Sequence, residues 1–303
     1  MKKCECCGTM TTDNSKFCPS CGNMYLTLCT PDGKPKHRKL SSFVKALIFP
    51  LVFYAATSLT TSIAAFIITI IGMYQGFTSE LELTRFALET YNSLSVYISL
   101  ATNLLLILGI IIYFIIRKKN VCRELGLRKF PLYVLPLCAI LGYSMQYVMG
   151  LILTLIPWPE SFIQNFEETY AGIDNSGLLI TILSVSIVTG FTEELIFRVL
   201  PMSRLGKAFG AVFSVMISSL IFGVAHITPI AIFYATLLGV LLGIIYHKYK
   251  SIWPCAIVHM FFNMASVIGL PTTSPTFVLA FYFTGISLAV LTGYFILRNP
   301  AVE

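Results

Sequence analysis

Eight apolar stretches set the pattern of the chain, with approximate edges at 43–73, 95–116, 131–156, 177–200, 208–227, 229–247, 252–270 and 276–297. Several reach the roughly 20 residues that carry a helix across a bilayer core. The pattern predicts an all-α polytopic membrane protein, a bundle of about eight transmembrane helices over residues 42–303. The first stretch is overlong and contains Pro50, which predicts tilt or a kink. Segment 77–92, with Ser79 as a candidate N-cap, reads as an interfacial helix or an ordered loop.

Three polar islands interrupt the apolar runs. They are Glu193-Glu194-Leu195-Ile196-Phe197-Arg198, Phe222-Gly223-Val224-Ala225-His226 and His259-Met260-Phe261-Phe262-Asn263. Ionisable groups at membrane depth are costly and face a bundle interior or a wet cavity, so three islands on three helices predict one shared site. On a helix, Glu194 and Arg198 share a face and can pair. Glu193 points about 100° away and lacks that i+4 partner, which makes it the candidate general base. His259 and Asn263 also share a face, from which both could donate to an oxyanion. Phe222 and His226 share a third, with the ring packed beside the imidazole. Glu193 and His226 come level only if the turn between their helices centres near Phe209-Gly210, in the polar tip formed by Arg204, Gly206, Lys207 and Gly210.

Charge then sets the orientation. The chain is 56% hydrophobic and only 12% charged, with a formal net charge of +7. With the N-terminus inside and eight crossings, all but Arg85 of the 21 lysines and arginines fall on the cytoplasmic side. The loop at 157–176 is acidic and falls outside, and Trp158 and Trp253 fall at interfaces. The expectation is a multi-pass cell-membrane protein with both termini cytoplasmic. The basic balance therefore encodes topology rather than a nucleic-acid surface, and no nucleic acid is expected as a partner. Residues 30–41 read as a basic juxtamembrane linker, with Lys34, Lys36, Arg38 and Lys39 near anionic lipid heads.

Residues 1–29 hold six of the nine cysteines. Cys4 and Cys7, then Cys18 and Cys21, form two C-x2-C pairs, each followed by glycine. Four thiolates from two tight turns suit tetrahedral zinc, and in a reducing cytosol zinc is favoured over disulfides. A structural Zn2+ ribbon is the expectation, with Cys6 as a competing ligand and Cys29 spare. A segment this short has little core of its own, so the metal would hold its fold. Contact with a protein partner is favoured for it over RNA, since it lacks interleaved aromatics and a basic face.

In this order on successive membrane helices, Glu-Glu-x-x-x-Arg, Phe-x-x-x-His and His-x-x-x-Asn resemble the CPBP intramembrane proteases. That family includes the type II CAAX prenyl endopeptidases and the Abi proteins linked to bacteriocin immunity. The resemblance covers roughly residues 90–300, with every motif position present and the ribbon outside it. It implies an eight-helix bundle with a proteolytic site inside the membrane, open towards the cytosol. The substrate it implies is a membrane protein or membrane-associated peptide at the lipid bilayer. Glu193 would then activate water and His226 would orient it or share its proton. His259 and Asn263 would donate to the oxyanion, and Glu194 and Arg198 would hold the helix. A catalytic zinc on Glu193, His226 and His259 stays open, as do a non-enzymatic scaffold or immunity role and a proton relay in a transporter.

Overall fold

The computed structural model describes residues 2–4, 8–12, 18–20, 39–170, 176–269 and 275–298. Two short strands, β1 (Lys2–Lys3) and β2 (Met10–Thr11), pair antiparallel. Between them Cys4 N–H bonds Thr9 O, Gly8 N–H bonds Cys4 O, and Gly8 takes a left-handed φ of 76°. A glycine is what such a tight turn requires. Cys4 and Cys18 are both buried, whereas Cys6, Cys7, Cys21 and Cys29 lie outside the described residues.

The other described elements are helices. The long elements are α1 (Lys39–Tyr74), α2 (Glu80–Ile116) and α4 (Val134–Thr154), with short α3 (Val121–Glu124) and α5 (Glu160–Tyr170) in the connections. An interrupted helix follows, made of α6 (Leu178–Thr181), the π-turn π1 (Ile182–Val188), α7 (Thr189–Glu194), the π-turn π2 (Leu195–Val199) and α8 (Leu200–Phe209). Then come α9 (Ala211–Val224), α10 (Pro229–Tyr249), α11 (Ile252–Ile268) and α12 (Pro275–Arg298). All eight apolar stretches fall on helices. Among the described residues, six helices are long and apolar enough to cross a membrane, and α9 and α11 are shorter apolar helices. The chain is an all-α polytopic membrane protein.

Segment 77–92 is neither a separate interfacial helix nor a loop. Residues 77–79 lead into α2 and residues 80–92 are its start, and the helix runs on unbroken with no proline or glycine before Gly109. Ser79 does occupy the N-cap position, but its side chain makes no capping hydrogen bond. The turn after α8 is Gly210, at φ 85°, so Glu193 and His226 lie almost equally far from it along their two helices.

Burial orders the bundle. Half of the 178–206 span is buried, against 6% of α1, whose apolar side chains face outward as a lipid contact requires. Every residue from Leu195 to Leu200 is buried, which makes the motif helix the centre of the molecule. Around it α4 packs on α11 and α12, α9 on α10, and α1 on α2 and α8. Small residues allow the closest approaches. A Cβ on Gly142 would overlap Val258 O of α11, and one on Gly223 would overlap Thr236 of α10.

Candidate active site

The Glu-Glu-x-x-x-Arg island is carried by two widened turns. Pro201, at the start of α8, has no N–H to give to Phe197 O, and its ring crowds that carbonyl. The backbone widens into π2, and Ser218 of α9 bonds Phe197 O instead. In π1, Val185 O accepts Asn263 Nδ2 at 3.1 Å from α11. Backbone groups loosened by π-turns must find partners within the bundle, and here side chains of neighbouring helices supply them. On the other flank, Ser184 Oγ donates to Val96 O at 2.9 Å and Asn103 Nδ2 to Thr189 Oγ1 at 3.2 Å, tying the motif helix to α2.

Glu194 and Arg198 pair as their spacing predicts, at 3.3 Å and both fully buried. His259 joins them, with Nδ1 2.9 Å from Glu194 Oε1. Glu193, 13% exposed, is not without a partner: its Oε2 lies 3.5 Å from His259 Nε2. The i, i+4 rule sees along one helix only and misses a partner on another.

These contacts fix donors and acceptors. Arg198 is always charged, and Glu194 beside it is its counter-ion. An ionised carboxylate only accepts, so His259 Nδ1 carries hydrogen. His259 Nε2 faces Glu193, so one imidazole stands between the two carboxylates.

Phe222 is the hub that the site is built around. Arg198 sits over its ring at 4.0 Å, His226 packs edge-on at 4.7 Å, and His259 lies 5.6 Å from it between centroids. His226 lies in the short link from α9 to α10, where Ile227 takes φ 67°, rare for a β-branched residue. Thr228 then caps α10 by accepting from Ala231 N–H. His226 Nδ1 is 2.9 Å from Phe222 O, and a carbonyl can only accept. Nδ1 therefore donates, and in the neutral ring Nε2 is left as an acceptor.

Glu193, His226, His259 and Asn263 all line one cavity of about 570 Å³. Nothing in the residue pattern marks Gln146 of α4, Tyr170 of α5 and Tyr234 of α10, which add polar groups to its walls. Burial raises the Tyr170 phenol above its ordinary value, so it stays protonated. From Glu193 the cavity extends towards Leu153, Tyr170 and Val267, at the ends of α4, α5 and α11. The basic loops lie at the other end of the bundle. With those loops cytoplasmic, the cavity runs outward, opposite to the cytosolic opening that the resemblance implies. Asn263 has one amide hydrogen committed to Val185 O, which leaves it a single donor for the cavity.

Among the described residues, no three His, Cys, Asp or Glu side chains converge closely enough to hold a metal ion.

A polytopic helical bundle with a buried carboxylate–histidine–arginine cluster at one cavity is the class that fold and site define. Residues 175–265, which contain all three islands, match the family model described as Type II CAAX prenyl endopeptidase Rce1-like. No curated protein and no solved structure matches the chain.

Proposed function

We propose that the chain is an intramembrane endopeptidase of the CAAX-protease type, acting on a membrane protein or membrane-associated peptide. The observation that carries this reading is Glu193, 3.5 Å from His259 Nε2, at the wall of a cavity inside the bundle. Glu193, as the carboxylate, takes a proton from water as the water attacks the scissile carbonyl, and gives it to the leaving amine as the C–N bond breaks. His259 Nε2–H and the second amide hydrogen of Asn263 donate to the oxyanion. His226 Nε2, an acceptor, orients the water. Glu194 holds His259 through Nδ1, and Arg198 holds Glu194. The similarity over 175–265 supports this reaction class.

The test uses the full chain in proteoliposomes with lipid-anchored reporter peptides. Cleavage by the native chain, with none by Glu193→Gln, supports the reading. Glu193-dependent ion or solute flux without any broken peptide bond overturns it in favour of a transporter.

The N-terminal ribbon reading extends this proposal. The Gly8 turn beneath buried Cys4 suits a metal knuckle, with Cys4, Cys7, Cys18 and Cys21 holding one structural Zn2+. We assign the ribbon to contact with a protein partner and place both termini in the cytoplasm. Elemental analysis of the full chain should find about one zinc, lost in Cys4→Ser with Cys18→Ser.

A further inference from the structure

A second cavity, of about 900 Å³, runs between α1 and α2 and is closed at its base by the motif helix. Its two ends differ in chemistry. At one end Lys45, Arg117, Lys119 and Arg204 line the mouth, opposed by the one carboxylate of the lining, Glu124. Arg204 is held in place there, with its guanidinium 5.2 Å from the Phe49 ring centre and Nη1 donating to Leu200 O. The walls beyond are apolar, formed by residues such as Ile48, Val52, Leu59 and Leu105. At the far end the Thr60 and Thr102 hydroxyls lie 3.1 Å apart, and each has a carbonyl of its own helix within reach as acceptor. Their polar groups are satisfied within the protein and ask nothing of an occupant. From Lys45 to Thr60 the groove spans about 22 Å at helical rise, close to the depth of one leaflet with its headgroups. Gly109 faces this space, and a Cβ there would meet no atom within 4 Å.

We propose that this groove binds one anionic phospholipid, its phosphate among the four cations and an acyl chain along α1 and α2. Charge complementarity selects the headgroup, since a zwitterionic lipid would set a second cation against Lys45, Arg117, Lys119 and Arg204. The site is distinct from the candidate active site. The Phe53 and Phe197 rings, 5.5 Å apart, pack beside the other cavity, which Phe53 lines, while Ile196 of the motif helix lines the groove. The assignment does not depend on peptidase activity.

The experiment is native mass spectrometry of the full chain released from nanodiscs holding equal phosphatidylglycerol and phosphatidylcholine with matched acyl chains. The native chain should retain phosphatidylglycerol in preference. Lys45, Arg117 and Lys119 are exposed, so their joint change to glutamine spares the fold. It should cut phosphatidylglycerol retention by roughly tenfold or more. Gly109→Phe grows into open space and should expel the chain with its lipid while leaving the protein monodisperse. Arg128→Gln with Lys129→Gln, on the same membrane side but outside the groove, should change nothing. Equal retention of the two lipids by the native chain, or an equal loss in the Arg128/Lys129 control, overturns the proposal.

Discussion

At the scale of single residues, the site depends on which group holds which. Among the described residues, Glu193 is the only carboxylate that meets both His259 and the cavity, so Glu193→Gln should cost the full general-base contribution, roughly 10²–10⁴-fold in turnover. Cleavage of a lipid-anchored peptide under single-turnover conditions reads this directly. Arg198 acts differently, because it is fully buried and does not line the cavity. Arg198→Ala leaves Glu194 buried without its counter-ion and should destabilise the protein by about 3–5 kcal/mol. Removing both charges, as Glu194→Gln with Arg198→Met, should cost less than Arg198→Ala alone. Thermal unfolding in detergent distinguishes the two, and a double variant at least as unstable as the single one would show that the ion pair is not the reason Arg198 matters.

Elements carry the next level. Helix existence was legible in the apolar runs, and so was the turn at Gly210, because Arg204, Gly206 and Lys207 break the apolar pattern there. Pro201 also marked π2 in principle, since it forbids the bond to Phe197 O, but a proline one turn after Arg198 reads as readily as a kink. Nothing in the residues of π1 announces it. Its cause lies on another helix, in the Asn263 amide that takes Val185 O. Tyr170 and Tyr234 stayed hidden for the same reason, as an aromatic on an apolar or amphipathic helix reaches a cavity only once its neighbours are placed. Packing at this level is testable through two glycines. Gly142→Val drives a side chain into the Val258 backbone and should cost at least the roughly 1–3 kcal/mol typical of overpacking. Gly109→Ala, which faces open space, should leave thermal unfolding unchanged or raise its midpoint.

For the whole molecule, orientation and access are linked. The cavity extends from Glu193 towards α5, and the basic loops lie at the opposite end. A cysteine at Asn165 should therefore react with an impermeant reagent from outside the cell, and one at Ser203 only after permeabilisation. The same side predicts that soluble inhibitors of the cavity act from without. Labelling at 165 from the cytosolic face alone would reverse both statements.

The buried pairing of Glu194 with Arg198 reaches further than its own chemistry. A charge fixed across a membrane feels the transmembrane voltage, at about 2.3 kcal/mol per elementary charge per 100 mV. Arg198 and Glu194 cancel, and Glu193 lies only 3.5 Å from His259 Nε2, so a proton passing between them offers that voltage almost nothing to act on. Peptide cleavage in proteoliposomes should run at one rate whether the interior is polarised by a potassium gradient or not. A device that carried protons from one face to the other would slow or quicken with the sign of the potential, so this bundle should behave as electrically silent machinery.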